Sequence, residues 1–316
     1  MLAYALKRLV AGLVTVLFIA TATFAAMHAV PGDPLSPTGK AARNPAILAN
    51  LKARYGLDKP VLTQYGIFLA NMAKGDFGVS FTQQNRSVND IIRVHFPVSA
   101  ILGVLALVFA TIGGVLLGSV TARFRGRWAD RTVLFLVVLG ISVPGFVFAA
   151  LGQYGVLALN KVAGTTVLPV AGWGTLAHML LPALALGIGT LAFLTRLMRS
   201  SLLEITNQDY IRTAKAKGLP PGRIFLSHQL RNGILPVVTI LGPALAAITT
   251  GGFVVESVFA IPGLGRYFVQ AVQQLDYTVI MGLTVFYGAF LVLMVIVVDI
   301  AYGFVDPRIR VAKGGA

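Results

Sequence analysis

The ten residues Asp209-Tyr210-Ile211-Arg212-Thr213-Ala214-Lys215-Ala216-Lys217-Gly218 are those whose types and spacing could do specific work, and that work is contact. Asp209 can cap a short helix over Tyr210 to Lys217, Gly218 offers its exit, and Pro220-Pro221 prevent continuation. Tyr210, Ile211, Ala214 and Lys217 then share one mixed face, and the alanines keep the backbone approachable, so the helix could seat in a groove of another protein. It could equally lie on a membrane surface, with Arg212, Lys215 and Lys217 among anionic headgroups. Two acids in apolar surroundings, Glu256 and Asp299, could line a polar pathway or pair internally. Bond-making chemistry has no comparable candidates. The chain has no cysteine, no Gly-x-Ser-x-Gly, no His-Glu-x-x-His and no GxxxxGK[ST] phosphate loop. No catalytic residue, no metal ligand and no nucleotide bound by this chain are expected. His28, His95 and His178 read as structural.

The elements that must position these residues are set by composition. Of 316 residues, 56% are apolar and only 12% charged. A soluble domain carries about 25% charged residues, so a water-exposed surface cannot be covered here. Soluble enzymes, disordered tails and disulfide scaffolds are excluded. Six charge-free intervals stand out: 24 positions between Arg8 and Asp33, 29 between Arg93 and Arg123, 29 between Arg131 and Lys161, 34 between Lys161 and Arg196, 24 between Arg231 and Glu256, and 22 between Asp276 and Asp299. Crossing about 30 Å of hydrocarbon takes about 20 helical residues, with every backbone hydrogen bond closed internally. The next longest interval, Pro60 to Ala73, is too short. The sequence predicts an all-α integral membrane protein with six spans. Leu9 to Ala26 exceeds a signal-peptide core and reads as a retained anchor.

The net charge of +15 is largely topology. With the N-terminus inside, 16 of the 26 basic residues fall in the segments facing the cytoplasm, and the two short opposite loops hold only Lys161 and Arg266. Both termini are expected inside, and nucleic acid is an unnecessary partner. Gly114 and Gly118 form a GxxxG that admits a close helix neighbour. Pro144, Pro182, Pro236 and Pro243 predict kinks, serving either packing or a pathway lined by irregular backbone.

Outward, residues 31–96 predict a small folded cap. It comprises a Pro31-Gly32-Asp33-Pro34 turn, helices over Pro45 to Tyr55 and Val61 to Ala73, a short strand over Phe77 to Thr82, and a helical approach from Val88 to Val94. The expected division is 1–94, the first span with its outward segment, and 95–316, the five-span core with the cytoplasmic loop.

The run from Arg196-Leu197-Met198-Arg199 through Asn207-Gln208-Asp209-Tyr210-Ile211-Arg212-Thr213-Ala214-Lys215-Ala216-Lys217-Gly218 resembles the cytoplasmic loop of binding-protein-dependent ABC importer permeases, in their dipeptide, oligopeptide and nickel branch. Anchored on Gly218, the family's general Glu-Ala-Ala…Gly…Ile-x-Leu-Pro signature falls on Arg212-Thr213-Ala214 and on His228, Leu230 and Arg231; the spacing holds and several residue types depart. Tyr55-Gly56-Leu57-Asp58-Lys59-Pro60, Gly75-Asp76-Phe77-Gly78-Val79-Ser80, Glu256-Ser257-Val258-Phe259 with Ile261-Pro262-Gly263-Leu264-Gly265, and Asp306-Pro307-Arg308-Ile309-Arg310 extend the resemblance along nearly the whole chain.

The resemblance implies a type I ABC importer permease fold in a bacterial or archaeal inner membrane. It implies a second homologous permease, two cytoplasmic ATPases that bind ATP and Mg²⁺, an extracytoplasmic binding protein, and peptide cargo. It makes Asp209 to Gly218 the helix that docks in the ATPase, with Ala214 allowing close approach and Gly218 making the turn. The outward segment and the loop Ile261 to Asp276 would face the binding protein. An ion-gradient-driven secondary transporter is the alternative, and predicts paired intramembrane acids and an internal repeat. An intramembrane protease would need the absent serine or zinc motif.

Overall fold

A computed structural model describes residues 2–29, 56–83 and 86–305, without the side chains of 2–5 and 299–305. The turn at Pro31, the helix expected over Pro45 to Tyr55 and the Asp306–Arg310 motif lie outside the described residues. Helices make up nearly everything else. In chain order they are α1 (Leu2–Ala29), α2 (Val61–Ala73), α3 (Val88–Arg123), α4 (Trp128–Ser142), α5 (Gly145–Ala163), α6 (Leu176–Thr206), α7 (Asp209–Ala216), α8 (Pro221–Gly233), α9 (Leu235–Gly251), α10 (Phe253–Val258), α11 (Leu264–Gln273) and α12 (Tyr277–Val305). Five are long and apolar enough to cross a bilayer, and α8 with α9, bent by 44° at Ile234, passes the same test as a pair, which gives six spans when the pair is counted as one. The molecule is an all-α, multi-pass membrane protein.

Contacts divide the chain into two compact units, Met1–Val98 with Gly263–Ile296, and Ser99–Pro262 with Val297–Ala316. This differs from the expected cut at 94/95, because α11 and most of α12 join the N-terminal unit.

In the first unit, Val88, Ile91, Leu264, Ala271, Tyr277, Val279, Ile280 and Leu283 form a buried cluster. Asp276 organises this cluster. Its carboxylate is buried and accepts the Ser80 and Thr82 hydroxyls and the backbone N–H groups of Phe81 and Thr82. It also accepts the Val279 N–H at 3.3 Å, which caps the start of α12. The strand expected over Phe77 to Thr82 is absent; a single antiparallel bridge pairs Val79 with Ser87. Just past that bridge the N–H groups of Phe81 and Thr82 donate to the Asp276 carboxylate. The expected helix Val61 to Ala73 is present, with Pro60 at its N-cap. The approach from Val88 runs unbroken into the second span.

In the second unit, α4 and α5 together form the expected third span, broken at Val143-Pro144, where Pro144 lacks the N–H to continue the helix. Both run antiparallel along α6, as Gly140 faces Ala192, Gly145 faces Ala185 and Gly152 faces Leu181. Pro182 sits inside α6 and Pro243 inside α9, while Pro236 begins α9 just after the bend. The GxxxG helix partner is α6. A Cβ on Gly118 would lie 2.6 Å from Met198 Cβ and 2.8 Å from the Thr195 carbonyl oxygen, and one on Gly114 would lie 2.7 Å from Leu194 Cβ. Small residues here let the two backbones meet, burying Ala110, Leu194, Met198, Leu202 and Val237.

Candidate coupling site

α7 is built as a rigid projection. It is eight residues long and too short to be stable alone in water. Three local devices hold it. Asp209 occupies the first turn, where its charge complements the helix dipole, while Gln208 stands at the N-cap that sequence reasoning assigned to Asp209. At the other end the Gly218 N–H donates to the Lys215 carbonyl at 2.9 Å and the Leu219 N–H to the Ala214 carbonyl at 3.3 Å. With Gly218 at φ +73°, these two bonds close a Schellman motif. Pro220 then caps α8, whose first residue is Pro221.

The third device is apolar. Ile211 and Ala214 are buried against Ile224, with Ile205 and Leu219 packed around them. This corrects the expected arrangement, in which Tyr210, Ile211, Ala214 and Lys217 formed one outward face and Ala214 gave a partner close access. Ala214 gives close access to α8 of its own chain. The spacing i, i+3 that places Ile211 beside Ala214 serves the internal seam, since an isoleucine beside an alanine is an inward stripe. Tyr210, Arg212, Thr213, Lys215, Ala216 and Lys217 are exposed, as is Asp209, whose Oδ1 lies 3.5 Å from an Arg212 Nη. The outward face therefore carries three cations and one acid.

Behind α7 the chain departs from regular helix. Phe225–Leu230 is π-helical within α8, and these residues include His228 and Leu230 of the signature spacing. A π turn widens the backbone spacing, and such segments often mark functional sites. Gln229 reaches back to the Thr206 hydroxyl at 3.0 Å, which ties α8 to the end of α6.

A second tie lies at the same end of α6. Arg199 Nε and Nη2 each donate at 2.8 Å to the two oxygens of Asp130, which also accepts the Gly126 N–H at 2.9 Å. The Arg199 guanidinium holds the Asp130 carboxyl below the usual aspartate range, opposed by its burial. Sequence reasoning missed this pair, because 69 residues separate the partners and only the fold brings them together. Asp130→Ala leaves a partly buried guanidinium unpaired, and a loss of about 2 kcal/mol in detergent melting is expected. A lowered folded pKa means the contribution is full above the unfolded value of about 3.9 and fades as pH falls through the folded one. The melting difference between wild type and variant should therefore shrink on acidification; a difference constant with pH contradicts the assignment.

Glu256, on α10, is buried and accepts the Ser99 hydroxyl at 2.6 Å, an internal pairing. Asp299 lies on α12 and its side chain is outside the described residues. Nearer the middle of this unit the Pro144 break opens a cavity of about 430 Å³, bounded by Val143, Gly145, Thr190, Ile248 and Val255. Among the described residues no three acidic or histidine side chains cluster as a metal site would require.

Proline-broken apolar helices around a cavity, with a short charged helix braced at one end, define a multi-pass membrane protein. Residues 114–311 match the family described as binding-protein-dependent transport system inner membrane component, and residues 1–103 match its N-terminal family. The chain is 45% identical to the dipeptide transport system permease protein DppB of Bacillus subtilis (strain 168), over 99% of both chains. It is 42% identical to the oligopeptide transport system permease protein OppB of Haemophilus influenzae, covering 98% of this chain and 100% of that protein. An inward-facing MetNI methionine ABC transporter structure superposes with TM-score 0.51 and 19% identity, covering 68% of this chain and 94% of that one, and shares the fold. The chain belongs to the inner membrane component family of binding-protein-dependent transport systems.

Proposed function

We propose that this chain is a permease subunit of an ATP-driven importer of di- or oligopeptides. It would sit in the inner membrane of a bacterium or archaeon with both termini in the cytoplasm. A second, homologous permease would complete the pathway, two cytoplasmic ATPases would bind ATP and Mg²⁺, and an extracytoplasmic binding protein would deliver cargo. The observation that carries this reading is α7. It is a short helix held along one apolar seam and at its C-terminal turn by its own chain, with a charged face left outward. A rigid lever of that kind transmits motion, and the chain has no phosphate loop of its own to generate it.

The named relatives supply the cargo class. The cavity at Pro144, lined by uncharged residues, suits cargoes with differing side chains. Alternation between inward and outward states would then be a shift of populations set by what each partner contacts in each state. Reconstitution of all subunits in vesicles is expected to give peptide uptake that requires ATP and the binding protein. Uptake by this chain alone under an ion gradient would contradict the reading.

A further inference from the structure

α2 was expected to belong to a small folded cap facing outward. Its position in the first unit argues otherwise. The Tyr65 hydroxyl pairs with Thr21 Oγ at 2.7 Å, the Phe68 ring stacks on Phe24, and Gln64 meets His28 at 3.3 Å. Thr21, Phe24 and His28 belong to α1, whose apolar span is Leu6–Ala29. Thr21 lies thirteen residues beyond Arg8, about 20 Å along the helix. With Arg8 at one edge of a hydrocarbon layer about 30 Å thick, Thr21 sits about 10 Å inside the opposite edge. The Tyr65 hydroxyl reaches that depth, while Gln64 of the same helix meets His28, about 30 Å along α1 from Arg8 and so at the opposite edge.

The composition of α2 fits that depth. No charged residue lies between Lys59 and Lys74, both exposed, so the helix is free of charge along its length and bracketed by cations at both ends. Thirteen residues span about 20 Å, too short to cross. Among the described residues no side chain of α2 is buried, and Leu62 is 83% exposed, Val61 53% and Ile67 39%. Facing water, these side chains would oppose the hydrophobic effect; facing acyl chains they satisfy it. Cations at both ends reach headgroup phosphates if the helix lies nearly flat.

We propose that α2 is an interfacial helix sunk in the leaflet opposite Arg8, outer on the charge-derived orientation, and that its exposed face is covered by lipid acyl chains. It would brace the first span against tilting while leaving the rest of the outward segment in water. The test uses the full transporter in vesicles. Trp128 and Trp173 are replaced by phenylalanine and a reporter is placed at Leu62→Trp, with Ile67→Trp as an independent second reporter, and each signal is read as the difference from the same transporter assembled with this chain free of tryptophan. Lipids brominated near the headgroup end of the chain are expected to quench both reporters about twofold, with iodide nearly without effect. Quenching by iodide and not by brominated lipid would overturn the proposal in favour of a water-facing cap. Resistance to both quenchers would overturn it in favour of a protein neighbour.

Discussion

Gly118→Leu is expected to remove the folded protein from the membrane fraction. The α3–α6 contact leaves no volume for a side chain, because the first atom added meets a backbone oxygen at 2.8 Å and a Cβ at 2.6 Å. Neither neighbour can rotate away, so the helices must separate, which undoes the burial of Leu194 and Met198. Overpacking of flexible sites costs about 1–3 kcal/mol, and a rigid one should exceed that range. Gly113→Ala is the control. Its added atom meets the far end of Leu191, Cδ1 at 2.6 Å, which can move, so a small loss in melting temperature is expected. Equal behaviour of Gly118→Leu and wild type in yield and detergent melting would show that the two helices do not meet as described.

Ile211→Asp should abolish transport while the protein remains inserted. Ile211 is fully buried in the seam between α7 and α8, and an aspartate there must either charge without a partner or pull the helix out. If release is favoured by about 3 kcal/mol, the held conformation falls about a hundredfold in population. Lys215→Glu acts on the other face. Lys215 is exposed, so α7 should stay in place and keep its helicity while association with the ATPase weakens. Gly218→Val separates these effects further. Open space surrounds Gly218, so strain at φ +73° is the only change, about 1–2 kcal/mol at the C-cap. Transport near wild type in Ile211→Asp would mean that the seam does not position the lever.

Much of the fold could be read from charge spacing, since a charge-free interval in lipid has one stable backbone solution. The helix Val61 to Ala73 and the short helix ending at Gly218 were equally legible, because proline and glycine mark their ends. The side-chain partnerships were not. Ala214 read as a contact surface because small residues suit both an interface and an internal seam, and only the path of α8 distinguishes them. The role of Asp276 depends on residues nearly 200 positions earlier, although an aspartate just before an apolar run is a legible cap signal. Depth in the bilayer was also hidden for α2. An uncharged stretch too short to cross suggests a loop helix until its partner on α1 is known.

The native chain contains no cysteine, so single-cysteine variants at Tyr210 and Lys215 report without background. Crosslinking of each to the ATPase in the assembled transporter, with and without ATP, tests the lever directly. Both positions should join the ATPase and resist an impermeant thiol reagent added from outside. Labelling from outside, or crosslinks to lipid alone, would contradict the account.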